Sequence, residues 1–97
     1  MIRKDNFDMK AIATVIGKDR VGIIAKVSNY LAQSEVNILD ISQTIMQNMF
    51  CMIMLVEIDD KKTRIDAVSK GLNEIGEEMG LSIHLQREEL FSSMHRI

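Results

Sequence analysis

Small and β-branched apolar residues dominate Met9 to Gly17, "MKAIATVIG", and a glycine closes the run. That length and that ending predict a strand. Past a charged stretch, Ile24, Val27 and Leu31 recur at helical spacing, with Lys26, Asn29 and Gln33 facing outward. A helix is expected over 21–34, with Asp19 as its cap because a carboxylate accepts bonds from free backbone N–H groups. Leu39, Ile41, Gln43 and Ile45 then alternate with Asp40, Ser42 and Thr44, the pattern of a half-buried strand. Gln47 to Met49 reads as a turn, since Asn48 tolerates left-handed geometry. "FCMIMLVEI" is apolar on both faces until Glu57, so it forms a hairpin with the strand before it.

The second helix announces itself most clearly. Thr63 to Asp66 reads as a capping box, and Ile65, Val68, Leu72, Ile75 and Met79 form one stripe. Gly80 ends it as a left-handed cap, while Gly71 and Gly76 inside it are expected to weaken it by about 1 kcal/mol each. Leu81 to Gln86 alternates again and gives a fourth strand. Strand, helix, strand, strand, helix, strand with right-handed crossovers is an α+β, ferredoxin-like βαββαβ sandwich. A four-stranded antiparallel sheet with two helices on one face is the expected architecture. Residues 1–8 form a polar lead, 9–86 the domain, and 87–97 a tail. In the tail, Leu90, Phe91, Met94 and Ile97 share one side of a short C-terminal helix.

Composition narrows the function classes. A chain of 97 residues has room for one domain. Its net charge of -2 gives no electrostatic reason for nucleic acid or an anionic membrane to bind. The longest apolar run, Met49 to Val56, is far short of the ~20 residues of a spanning helix. The single cysteine forms no internal disulfide, and the N-terminus lacks the apolar core of a signal peptide, so a cytoplasmic location is expected. Proline is absent and methionine occurs eight times, which reads mostly as core filling.

"GKDRVG", Gly17 to Gly22, has the outline of a phosphate loop, but Ile23 and Ile24 occupy the places where a nucleotide-binding loop needs Lys and Ser or Thr. No dinucleotide fingerprint is present either. Cys51, His84 and His95 have no spacing that joins them into a metal site, and no acid–base pair suggests an enzyme. Cys51 reads as inert core, and His84 as facing solvent or a hydrogen-bond partner. The third strand lacks the aromatic platforms of an RNA-binding sheet. No cofactor is expected.

Taken together, "GKDRVGIIAKVSNYLAQSEVNILDISQT" resembles the ACT domain, a ferredoxin-like regulatory module that commonly binds amino acids. Asp19, Arg20, Gly22, Asn37 and Ile38 match the family pattern at the right spacing, over about Met9 to Gln86. The similarity is greatest to stand-alone single-ACT proteins, akin to the modules of the glycine-cleavage regulator. Val21 replaces the usual proline, Glu35 stands where a glycine commonly ends the first helix, and Gly17 offers no side chain. The resemblance implies a small-molecule-sensing module that binds an amino acid or related small carboxylate at a subunit interface. Lys18, Asp19, Arg20, Val21 and Gly22 would face Asn37 and Ile38 of a neighbouring copy. The physical case is a helix N-terminus that attracts a carboxylate, an Asp for an ammonium group, and an amide for orientation. The plainer alternatives are that Asp19 caps a helix, Asn37 shapes a turn and Arg20 is solvated. A homodimer or higher oligomer is expected because strand three is apolar on both faces. The competing function is a protein–protein interaction module with no metabolite.

Overall fold

The computed structural model describes residues 9–59 and 61–88. Its elements are β1 (Met9–Lys18), α1 (Ile23–Gln33), β2 (Asn37–Met46), β3 (Met49–Ile58), α2 (Ile65–Met79) and β4 (Leu81–Arg87). The strands form one antiparallel sheet in the order β2-β3-β1-β4, the expected ferredoxin-like βαββαβ arrangement. Each helix connects two strands separated by a third, and both helices lie on the same face. The polar lead and the proposed C-terminal helix fall outside the described residues, apart from its first residues.

The register explains which face is buried. Ala11, Ala13 and Val15 of β1 pair with Val56, Met54 and Met52 of β3, and all six are buried. Ile83 of β4 pairs with Val15 on the same side. Onto this layer pack Ile23, Val27 and Leu31 of α1, and Val68, Leu72 and Ile75 of α2. The opposite face carries Ile12, Ile16, Cys51, Ile53 and Leu55, and among the described residues no element packs on it. Ile53 stays 41% exposed there. Cys51 is therefore half-buried on the helix-free face, a correction to its reading as core. The methionines also divide. Met52 and Met54 fill the core, whereas Met46 and Met49 are exposed near the hairpin.

Turn chemistry follows the backbone signs. Gln47 and Asn48 both have positive φ, 50° and 71°, the two left-handed residues of a type I′ hairpin between paired Met46 and Met49. Glu35 has φ 61° and closes α1: its N–H donates to Ala32 O at 3.0 Å and that of Val36 to Leu31 O at 2.9 Å. Those two bonds make a Schellman motif, with Glu where glycine would be free of strain. Gly80 ends α2 at φ 70°, as its sequence predicts.

Three local expectations are overturned. Asp19 does not cap α1, which starts at Ile23; the cap position belongs to Gly22, at φ 92° and with no side-chain bond. Thr63 does not cap α2 either. Its hydroxyl donates to the Ser34 carbonyl at 2.9 Å, tying the start of α2 to the end of α1, and the N-cap is Arg64. The half-buried β2 is almost wholly exposed, because it is an edge strand and the helices lie over its neighbours.

The glycines of α2 serve packing rather than merely weakening the helix. A side chain at Gly71 would run into the Tyr30 hydroxyl, whose oxygen lies 3.3 Å from the Ala67 and Val68 carbonyls it can donate to. A Cβ at Gly76 would stand 2.6 Å from the Leu81 carbonyl oxygen. The two obstacles differ in kind: a tyrosine hydroxyl can swing aside, whereas a strand carbonyl is held in the sheet. Gly76→Ala should therefore cost about 2 kcal/mol or more. Gly71→Ala should cost less: both alanines regain about 1 kcal/mol of helix propensity, but only here can the obstacle, a side chain, move away. Urea denaturation of both variants checks this, and equal losses would refute the packing account.

Candidate functional site

Lys18 to Gly22 sit where β1 stops pairing. Lys18 is the last paired residue, opposite Met49, and the Asp19 N–H donates to Asn48 O at 2.8 Å, pinning the loop to the β2–β3 hairpin. The Arg20 guanidinium reaches the other way and donates to Met79 O at 3.1 Å. A cation at the last carbonyls of α2 satisfies an orphan acceptor and opposes the negative end of the helix dipole. Arg20 is thus not simply solvated: it braces the loop against α2.

Gly22 then turns the chain into α1. A Cβ there would touch nothing within 4 Å, so φ 92°, not crowding, is what calls for glycine. The first turn of α1 holds no acidic residue and receives no side-chain cap among the described residues. Its leading N–H groups make the positive end of an 11-residue helix. The Asp19 carboxylate is exposed and forms no bond among the described residues. Val21 is 97% exposed at the tip. A cavity of about 400 Å³ lies here, lined by Lys18, Asp19, Arg20, Met79 and Gly80. That is within the usual range for small-ligand pockets. A Cβ on Gly17 would lie 3.2 Å from both the Gly80 carbonyl oxygen and the Leu81 Cα, so backbone crowds this position.

Asn37 and Ile38 are not part of this cavity within one chain. Asn37 opens β2 and pairs with Glu57, which pairs with Lys10, eight residues along β1 from Lys18. At strand rise that separation is ~26 Å. Ile38 is half-buried and packs on the core. The Asn37 amide nitrogen donates to Glu57 Oε1 at 3.2 Å.

Met79, Gly80, Asn48 and Glu57 were not among the site residues read from the sequence. Gly80 carried a signal as a helix cap, Asn48 as a turn residue and Met79 as the last of the α2 stripe, but none of these signals pointed to the site. Their proximity depends on how α2 and the hairpin close on the sheet. Elsewhere His84 shares a 3.1 Å hydrogen bond with Ser82, consistent with its exposed position. Among the described residues no helix is long and apolar enough to cross a membrane, and no cluster of three His, Cys, Asp or Glu could hold a metal.

Comparison with known proteins agrees with the fold. The family model of the ACT domain matches residues 10–86. A UPF0237 protein of Clostridium acetobutylicum is 55% identical over 89 residues, covering 92% of this chain and all of that protein. An ACT domain protein from Streptococcus pneumoniae superposes with a TM-score of 0.75 at 37% identity, over 86% of this chain and 93% of that one. A protein assigned as a glycine cleavage system transcriptional repressor gives 0.74 at 25% identity, over 81% of this chain and 45% of that one.

The loop's dependence on one left-handed residue is testable. Gly22→Ala has room for its methyl group, so its cost is conformational alone, about 1–2 kcal/mol. Because β1 and α1 are anchored by their own core residues, the fold should survive. Thermal unfolding checks the loss, and a loss below about 0.5 kcal/mol would show that the loop adopts another conformation freely.

Proposed function

The chain belongs to the ACT domain family, whose members are in general regulatory modules that bind small molecules, and from that premise we propose that it senses an amino acid or related small carboxylate at the interface of two copies. The observation that carries the reading is a cavity lined by Lys18, Asp19 and Arg20 of the loop that leads into the uncapped, acid-free start of α1. A ligand carboxylate is attracted to the free N–H groups and to the two cations. An ammonium group finds the Asp19 carboxylate.

The distance of Asn37 and Ile38 from this loop argues for two copies rather than against the pairing. β2 is an exposed edge strand, with unpaired backbone groups and the apolar side chains of Leu39, Ile41 and Ile45 along it. Antiparallel pairing of two β2 edges about a twofold axis inverts one copy relative to the other. The Asn37 end of one sheet then lies beside the loop end of its partner. Pairing through β4 would leave Asn37 at the far edge. ACT domains commonly dimerise. A homodimer through β2 therefore completes the site.

A second reading has its own observation. Ile16, Met49, Ile53 and Met46 remain exposed on or beside the helix-free face, an adaptable apolar surface suited to another protein. In that reading the chain is an interaction module and no metabolite is involved.

A thermal-shift screen across amino acids and small carboxylates separates the two. A ligand at 100 times its Kd adds about 2.7 kcal/mol, roughly 10–20 °C of melting temperature in a domain of this size. Asp19→Ala and Asn37→Ala should each remove the shift while the fold persists, and sedimentation should show a dimer at micromolar concentration. A monomer, or variants that bind like the parent, would sink the shared-site reading. A panel without a hit would favour the interaction module.

A further inference from the structure

Burial on the helix-free face of the sheet is uneven. Along β3 on that side, Ile53 is 41% exposed, Leu55 is half-buried and Glu57 is only 8% exposed. On β1 Ile16 is exposed and Ile12 half-buried, and on β4 His84 is exposed and Gln86 half-buried. Burial thus rises toward one end of the sheet, where a carboxylate lies deeper than the isoleucine at the centre. Glutamate is rarely that deep on an open sheet face. The same end is where the chain leaves the sheet. Arg87, the last residue of β4, pairs with Ala11, one step from the Lys10–Glu57 pair. Glu88 is already helical. Because α2 packs on the other side of β4, the side open to the chain at this exit is the helix-free one.

Residues 88–97 have the pattern of an amphipathic helix. Leu90, Phe91, Met94 and Ile97 fall on one side of it. Glu88 and Glu89 stand at its start and His95 and Arg96 near its end, the order that the helix dipole favours. As a helix, Leu90 to Ile97 spans about 10 Å. That is about two strand spacings, the distance from β4 across β1 to β3.

We propose that residues 88–97 form a third helix that lies over the helix-free face of its own sheet. Its apolar side covers Ile12, Leu55 and Ile53, and its acidic start lies beside Lys10, which is exposed at that rim. The occupant is the chain's own tail. It leaves from β4, the edge farthest from β2, so a copy paired along β2 is out of its way. Whether a metabolite binds does not enter the argument. A chain that covers its own apolar face offers that face to no other protein, and self-association is left to the β2 edge.

The chain has no tryptophan, so Phe91→Trp gives the full-length protein a single reporter on the apolar side of the tail. Its emission should be blue-shifted and should resist acrylamide quenching, and both properties should persist on serial dilution. Adding Ile53→Glu puts a charge on the covered face. The emission should then become that of an exposed tryptophan while circular dichroism shows the fold retained. Exposed emission from the folded Phe91→Trp protein overturns the proposal. So does a blue shift that Ile53→Glu leaves unchanged, which would place the tail elsewhere. A blue shift lost on dilution overturns it in favour of a second copy on this face. The double variant Phe91→Ser and Met94→Ser tests the same contact without touching the sheet. Its melting temperature should fall by about 5 °C or more, and an unchanged value overturns the contact.

Discussion

The central strand β1 is the constraint on which the rest depends. It pairs with β3 along all ten of its residues and with β4 along seven, so its backbone is satisfied on both sides and cannot shift register. A slip of one residue would turn Ala11, Ala13 and Val15 out of the core and Ile12, Thr14 and Ile16 into it. Because the inward residues are small, the helices can approach the sheet closely. The strand also decides where the chain must leave the sheet, at Lys18, and hence where the loop of the candidate site stands.

That loop is built by exhausting the ordinary partners of its neighbours. Asp19 contributes its N–H to the hairpin, Arg20 contributes its guanidinium to the end of α2, and Gly22 takes the left-handed turn. What remains without a partner among the described residues is the positive start of α1 and the Asp19 carboxylate. Groups left over in this way, beside a cavity of ligand size, are what a small zwitterion can satisfy. The same Arg20 contact makes the loop and the end of α2 one unit, so a ligand that pulls on the loop also acts on α2.

In the proposed dimer, loop and edge strand meet a second copy from opposite ends of the sheet. This is why a site shared between two copies is economical here: neither end alone holds both an anion-attracting helix start and an oriented amide. The register shift between Ile38 and Asp40 lies next to Asn37 and places the start of β2 apart from the regular ladder that follows.

Periodicity and turn chemistry determined the element order, the sheet topology, the apolar stripes of α1 and α2, the left-handed cap at Gly80 and the loop residues. All of these rest on local spacing or on signs of φ that a few residue types tolerate. The tertiary structure decided matters that spacing does not encode. Thr63 has the hydroxyl and the neighbours of a capping box, yet its hydroxyl donates to the Ser34 carbonyl, 29 residues away in the chain. Asp19 precedes a helix by the right chemistry, but Gly22 bends the chain before a carboxylate can reach the free N–H groups. Gly71 and Gly76 look like flaws in a helix until Tyr30 and the Leu81 carbonyl are seen against them. β2 alternates like a half-buried strand, and only its place at the sheet edge leaves it exposed. For Thr63, Gly71, Gly76 and β2 the deciding neighbour is far away in sequence, where only packing brings it near.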